Sequence, residues 1–156
     1  MAERTEQAGA LIDFDGGDRV NFSCNPETIL DSDSTDYAVH SIPGMSGPKR
    51  QFTCGGTRSI SFVLRLHYGM EDNVEAAIKK MRAWLYPEYE NNKLKRGPHR
   101  ILLSFGNNWL NEKWVMTNLD VLGRLFDADL KCIAAELSIT MEEYVETSRG
   151  RAEVGN

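Results

Sequence analysis

From Ile60 to His67 every second residue is large and apolar, and the residues between are polar except for Val63, which is the clearest strand signal in the chain. The apolar row comprises Ile60, Phe62, Leu64 and Leu66. Because successive side chains of a strand point to opposite faces, this pattern predicts a half-buried strand. Weaker patterns of the same kind predict strands at 10–14, 19–24, 99–105, 114–121 and 131–141. The turn at 15–18 joins the first two as a hairpin.

One segment has helical spacing instead. Its apolar residues are Val74, Ala77, Ile78, Met81 and Leu85. They recur at the intervals that place side chains on one face of a helix. Asp72 followed by Glu75 resembles a capping box, and Pro87 ends the predicted helix. Residues 88–97 show no periodicity, so we expect a loop there.

Two segments combine exposure with unusual composition. Residues 28–42 are polar and predict an extended strand or arm, which runs into a loop from Ile42 to Pro48 holding two prolines and two glycines. Proline fixes φ and glycine permits φ > 0, so the loop should follow a specific path without forming a ladder. The other segment, 122–129, should connect two strands, yet Leu125 and Phe126 make it too apolar for a solvent-facing turn. We expect a neighbouring molecule to bury these two residues.

These elements indicate a mainly β (α+β) domain of antiparallel strands with one flanking helix. The domain should span residues 9–143, between a flexible N-terminal arm at 1–8 and a polar tail at 144–156. The chain has 156 residues, 41% of them apolar and 26% charged, which is typical of one soluble globular domain. No secretory signal is visible at the start of the sequence.

Charge and cysteine content narrow the function classes. The net charge is −5 and the basic residues are scattered, so no phosphate-tracking surface is indicated. The basic cluster at 93–96 is interpreted as a solvated loop, with contact to an acidic protein as the alternative. The three cysteines are far apart in sequence, which favours buried free thiols over a disulfide framework.

We find no motif that predicts catalysis or a cofactor. The cysteines and histidines lack metal-ligand spacing, no serine lies in a nucleophile-elbow motif, and no glycine-rich phosphate loop is present. Asp13 and Asp15 are interpreted as solvated charges at a strand end, although a site assembled from distant acidic residues stays open.

An ordered series of residues resembles the contractile injection system tube protein family. The series consists of Phe22, Asn25-Pro26-Glu27-Thr28, Tyr37, Ile42-Pro43-Gly44, Pro48, Phe52, Gly55-Gly56 and Arg58-Ser59-Ile60-Ser61-Phe62. A weaker similarity continues through the helix at 74–85, the strand at 101–106 and the final hairpin, so the resemblance covers roughly residues 18–141.

The resemblance implies a tail-tube-like antiparallel β-sandwich or barrel that forms hexameric rings around a lumen. Such rings join the inner tube to the baseplate hub or spike of a phage tail or related particle, so the expected location is the virion, after assembly in the host cytoplasm. Expected partners are other copies of the chain, the tail tube protein and the hub, spike and wedge proteins. No enzyme activity, cofactor, metal or membrane is implied. Many members carry a C-terminal LysM module, which the residues after Met141 do not provide.

If the chain forms such rings, residues in the exposed segment 28–48 and in the apolar connection 122–129 are predicted to be assembly contacts. They are Tyr37, Ile42, Pro43, Gly44, Met45, Pro48, Leu125 and Phe126. The acidic strand face with Asp120 and Glu136 is predicted to line the lumen, where like charge would keep DNA or cargo from sticking. Two alternatives stay open: a monomeric cell-wall glycan-binding β domain, and an enzyme whose site is assembled in space.

Overall fold

The computed structural model describes residues 8–67 and 73–146, which form one large antiparallel sheet, two separate two-stranded hairpins and one helix. The predicted mainly-β class with a single helix is confirmed. The strands are β1 (Ala10–Asp13), β2 (Arg19–Asn21), β3 (Ile29–Ser32), β4 (Thr35–His40), β5 (Lys49–Gly55), β6 (Ser59–His67), β7 (Glu88–Glu90), β8 (Lys93–Arg96), β9 (Arg100–Ser104), β10 (Lys113–Phe126) and β11 (Cys132–Glu143), and the helix is α1 (Val74–Ala83).

The large sheet has seven strands in the order β2-β1-β9-β10-β11-β6-β3. β4 pairs with β5 and β7 pairs with β8, each pair forming its own small sheet. Residues 1–7 of the predicted arm (1–8) and residues 147–156 of the predicted tail (144–156) lie outside the described residues. The strand order of the large sheet puts the two longest strands, β10 and β11, next to each other near its centre.

The core lies on one face of this sheet, beneath α1. The row from Ile60 to Leu66 is buried as predicted, and so is the matching row of β11. The helix buries Val74, Ala77, Ile78 and Met81 against the sheet. Trp114 is fully buried among them. Burying a large apolar side chain stabilises the fold by about 1.5–3 kcal/mol, so these rows supply most of the driving force.

The N-cap of the helix lies one residue later than predicted. Asn73 is the N-cap, and its side-chain Oδ1 accepts hydrogen bonds from the backbone N–H groups of Glu75 and Ala76 at 3.1 and 3.2 Å. These bonds satisfy two donors that a helix start leaves unpaired. Asp72 lies outside the described residues. The helix ends at Ala83, before Pro87, and Lys80 and Arg82 in its last turn complement the helix dipole.

Two predicted connections are strands. The segment 88–97, expected to be a loop, contains β7 and β8, and every residue of both strands is exposed. The basic cluster therefore lies on a hairpin. The segment 122–129, expected to be the hairpin connection, mostly continues β10, which ends at Phe126. A short, exposed hairpin buries no apolar row, so its sequence lacks the periodicity that would predict it.

The faces of β10 also differ from strict alternation. Trp114 and Met116 are buried, and a bulge between Met116 and Asn118 then shifts the register, so that Leu119 and Val121 pack against the same core. One extra residue in a strand reverses the facing of every residue after it. Strict alternation over the predicted strand 114–121 would place Trp114 and Leu119 on opposite faces, and the bulge makes that expectation wrong.

Candidate assembly surface

The β4–β5 pair forms a hairpin that extends beyond the large sheet, and we call residues 33–57 the projecting hairpin. Pairing of β3 with β6 ends at Ser32 and Ser59, and pairing of β4 with β5 begins at Thr35 and Gly55. The same ribbon therefore leaves the sheet and continues as a separate pair. Between the two ladders, residues 33–34 oppose residues 56–58, a mismatch that bends such a ribbon.

The projecting hairpin has an exposed apolar face. Tyr37 lies directly opposite Phe52, and their ring centroids are 6.0 Å apart at 75°. Tyr37, Val39 and Phe52 are 53%, 57% and 59% exposed. Large apolar side chains that stay this exposed on one strand pair mark a surface that another molecule covers.

The loop at the end of the projecting hairpin has a defined turn. Met45 N–H donates to the Ile42 carbonyl at 3.3 Å, and Gly44 between them has φ +89°. Proline at the second position and a positive-φ glycine at the third match a type II turn, so Pro43 and Gly44 have a physical role here. The turn presents Ile42 and Met45, which are 46% and 55% exposed. Pro48 is also exposed, so all six residues predicted as contacts in this region lie at the surface.

Arg58 fixes the base of the projecting hairpin. Its guanidinium donates to both carboxylate oxygens of Asp31, at 3.1 and 2.9 Å, and to Glu112 at 2.8 Å. Trp109 Nε1 also donates to Asp31 at 3.2 Å. The hydrogen bond from Arg58 lowers the pKa of Asp31, so the carboxylate stays charged at neutral pH. This bidentate contact joins the segment entering the hairpin to the segment leaving it.

A second exposed apolar region lies where β10 and β11 join. We call residues 125–131 the far tip. Leu125 and Phe126 are 60% and 50% exposed, and Leu130 is 83% exposed with φ +61°. Beside the far tip is a groove of about 370 Å³. It is lined by Asn73, Glu75, Arg124, Phe126, Leu130, Lys131 and Cys132. The prediction that Leu125 and Phe126 need a neighbour agrees with their exposure.

The face of the sheet opposite the core is polar in the middle of β10 and β11. Asp120 is exposed, lies opposite Ser138 and accepts a hydrogen bond from Asn118 Nδ2 at 2.9 Å. Glu136 is half-buried and forms an ion pair with Arg65 on β6 at 3.8 Å. The sequence pattern placed Asp120 and Glu136 on one face but missed Arg65, which offsets part of the negative charge.

A family model described as contractile injection system tube protein matches residues 7–152. The chain belongs to this family. The resemblance found in its residues is therefore confirmed, and the chain is a tube-related structural protein of a contractile injection system.

Single proteins and solved structures add little to the family membership. No curated protein matches the chain. Among 11 matching chains of solved structures, one is described as an extracellular contractile injection system, PVC sheath/tube terminator in extended state. That chain is 14% identical to the present one with a TM-score of 0.40. The match covers 88% of the present chain and 89% of the terminator chain.

Two charged clusters that the sequence did not reveal lie at the end of β1. Asp13 is 2% exposed, and its Oδ2 lies 2.7 Å from His99 Nδ1, while His99 Nε2 lies 2.7 Å from Glu88. Asp15 binds the Arg100 guanidinium at 2.9 Å, which lowers the pKa of Asp15 to about 2. The interpretation of Asp13 and Asp15 as solvated charges was wrong, because both have partners about 85 residues away in sequence.

Other candidate chemistry is sparse. The cysteines are free, but Cys24 and Cys54 are exposed and Cys132 is half-buried, so the prediction of buried thiols was wrong. Within residues 8–67 and 73–146, no cluster of histidine, cysteine and acidic side chains has the geometry to hold a metal ion. None of the described helical residues form a helix long and apolar enough to cross a bilayer.

Proposed function

We propose that this chain assembles into a closed ring, a hexamer, that joins the inner tube to the hub or spike of the baseplate. The observation that carries the proposal is the projecting hairpin, whose apolar face is exposed. A strand pair of this kind adds nothing to the core of its own subunit. It gains stability only when a neighbour covers Tyr37, Val39 and Phe52.

The network at Arg58 supports an assembly role, because it holds the hairpin in one orientation before any partner arrives. A contact element that is already ordered loses less conformational entropy on binding than a flexible one. When each subunit offers a hairpin and accepts one at a different surface, the contacts are head-to-tail, and such contacts close into a ring when the rotation per subunit allows it.

The polar face with Asp120 and Glu136 is proposed to line the lumen of this ring. Along β11 this face carries the polar residues Glu136, Ser138 and Thr140, and Asp120 forms no ion pair within residues 8–67 and 73–146. A negative, polar wall repels the phosphates of DNA, so DNA or cargo passes without binding.

The proposed partners follow from this position. Copies of this chain form the ring. The tail tube protein, a different protein, stacks on one side of it, and hub, spike and wedge proteins contact the other side. We place the ring at the tail baseplate of the particle, with assembly in the host cytoplasm.

The test is to remove the projecting hairpin while keeping its base. Gly56 N–H donates to the Ser34 carbonyl at 3.0 Å, so Asn-Gly can replace residues 35–55 as a two-residue turn. We expect a folded monomer whose melting temperature is close to that of the unaltered protein, which itself forms rings in light scattering and negative-stain images.

A point variant and a matched control accompany the deletion. Phe52→Ser should raise the midpoint concentration for ring formation about tenfold, as expected for a buried aromatic contact. Tyr89→Ser alters the other exposed hairpin, where Tyr89 is 66% exposed, and should assemble normally. Rings that form equally well without residues 35–55 would disprove the proposal, and so would an unaltered protein that stays monomeric and binds cell-wall glycan.

A further inference from the structure

Leu130 adopts a conformation and an exposure that the fold of its own subunit does not explain. Its φ is +61°, a left-handed conformation that glycine or asparagine usually occupies at this place in a hairpin turn. Its side chain is nevertheless 83% exposed. The turn itself is held by Asp127, whose Oδ1 accepts from the N–H groups of Asp129 and Lys131 at 3.0 and 2.9 Å. Leucine at Leu130 therefore strains the backbone without packing inside the subunit.

The adjoining groove contains a polar group that also lacks a partner. Arg124 Nε is buried and has no hydrogen-bond partner in the described part of the chain. The nearest carboxylate contact of Arg124 is with Glu75 at 3.7 Å, which is too long for a hydrogen bond. An N–H group buried without a partner costs free energy, so the polar groups beside the groove are not all satisfied within their own subunit.

The groove and the projecting hairpin lie at opposite ends of the sheet. Arg58 contacts Glu112, just before β10 begins, whereas the groove lies at the other end of β10, near Phe126. Twelve residues separate Trp114 from Phe126, or about 40 Å along a strand. β4 has six residues and extends only about 20 Å. The hairpin of one subunit cannot fill the groove of the same subunit.

The two surfaces complement each other in size and charge. The groove, at about 370 Å³, is near the lower limit of small-ligand sites, which suits one or two side chains of a turn. Across 35–55 the hairpin carries Lys49 and Arg50 against one acidic residue, Asp36. The groove region carries Glu75, Asp127 and Asp129 against Arg124 and Lys131, a small negative excess that would attract the basic loop.

We propose that the turn of the projecting hairpin docks into the groove at the far tip of a second copy of this chain. Ile42 and Met45 pack on Leu130 and Phe126. The contact is head-to-tail, since the two surfaces differ. This inference rests on the proposed ring and names the receiving surface of each subunit.

Leu130→Asn tests the receiving surface, because it separates folding from assembly. Asparagine tolerates positive φ better than leucine, so the monomer should melt at the same temperature or higher. Loss of an apolar contact at the centre of an interface should raise the midpoint concentration for ring formation at least tenfold. Leu110→Asn is the matched control, because Leu110 is 60% exposed in a turn away from the groove and should leave assembly unchanged.

Cross-linking tests the contact directly. The three native cysteines are changed to serine, and protomers carrying only Met45→Cys are mixed with protomers carrying only Leu130→Cys. We expect a cross-linked dimer from the mixture and none from either protein alone or from Met45→Cys mixed with Leu110→Cys.

The outcomes separate this inference from the proposed function. If rings need the projecting hairpin but Leu130→Asn assembles normally and the mixture does not cross-link, the groove is not the receiving surface and the ring proposal stands. If the unaltered protein forms no rings and the mixture does not cross-link, both are wrong.

Discussion

At the scale of single residues, His99 makes an unusual pair of contacts. Both ring nitrogens lie 2.7 Å from carboxylate oxygens, of Asp13 on one side and Glu88 on the other. Each nitrogen must carry a proton for both contacts to be hydrogen bonds, so the site favours the charged ring. The hydrogen bond to Asp13 is the main cause of the raised pKa of His99; burial opposes it, and Glu88 adds to it. Arg100 and Asp15 form the neighbouring pair.

The first prediction concerns the pH dependence of stability. Because the pKa of His99 is raised from 6.5, its stabilising contribution is complete below about pH 6.5 and is lost as pH rises through the higher, folded-state value. His99→Gln should lower the free energy of unfolding by about 2 kcal/mol at pH 6 and by less at pH 9. His67→Gln, at an exposed position, is the control. Denaturant titrations at both pH values measure this, and an equal loss at both would contradict it.

Such residue pairs could not be predicted from the sequence. Asp13 and His99 are 86 residues apart, and each looks like an ordinary surface residue among its sequence neighbours. Arg58 is similar, because its carboxylate partners Asp31 and Glu112 come from two separate segments. Long-range polar contacts leave no periodic signal, whereas the exposed apolar residues Leu125 and Phe126 stood out because they contradicted their predicted turn.

At the scale of elements, predictability followed the amount of apolar burial. The α1 face and the β6 row were correct because each has a regular buried side. β7 and β8 were missed because none of their residues is buried. The bulge in β10 was missed because an inserted residue looks the same in sequence as a continuing strand. The segment 28–42 was predicted only as extended. Its pairing with β5 was not predicted, because the sequence indicated an ordered loop at 42–48 but not where that loop would lead.

The second prediction separates two adjacent glycines at the base of the projecting hairpin. A Cβ on Gly56 would lie 2.6 Å from the carbonyl carbon and oxygen of Ser34, closer than real side chains approach backbone. A Cβ on Gly55 meets nothing within 4 Å. Gly56→Ala should therefore destabilise the fold by about 1–3 kcal/mol and weaken assembly by misdirecting the hairpin. Gly55→Ala should change both little. Denaturant unfolding and light scattering measure them, and similar effects from the two variants would refute the explanation.

At the scale of the whole molecule, the ends of the sheet have different surfaces. One end carries the rigid projecting hairpin and the other carries the strained, exposed far tip. An interface built from two different surfaces propagates in one direction, which is the geometry that rings and stacks require. Neither composition nor charge indicated that the two ends of the sheet differ, because this difference depends on which strand ends lie together. The family resemblance supplied the expectation of assembly, and the structure gives it candidate contacts.

The last prediction concerns the polar face proposed to line the lumen. Asp120 and Glu136 lie there beside Arg65, so changing both acids to lysine turns two carboxylates and one guanidinium into three cations on each subunit. Repeated around a ring, this charge should attract DNA phosphates, and the binding should weaken steeply as salt is raised. Asp18→Lys with Glu90→Lys makes the same change in net charge at exposed positions outside β10 and β11, in the turn before β2 and on β7. DNA retention by purified rings at low and high salt measures the effect. If the two double variants retain DNA equally, or if passage through Asp120→Lys/Glu136→Lys particles is unchanged, this face does not line the lumen.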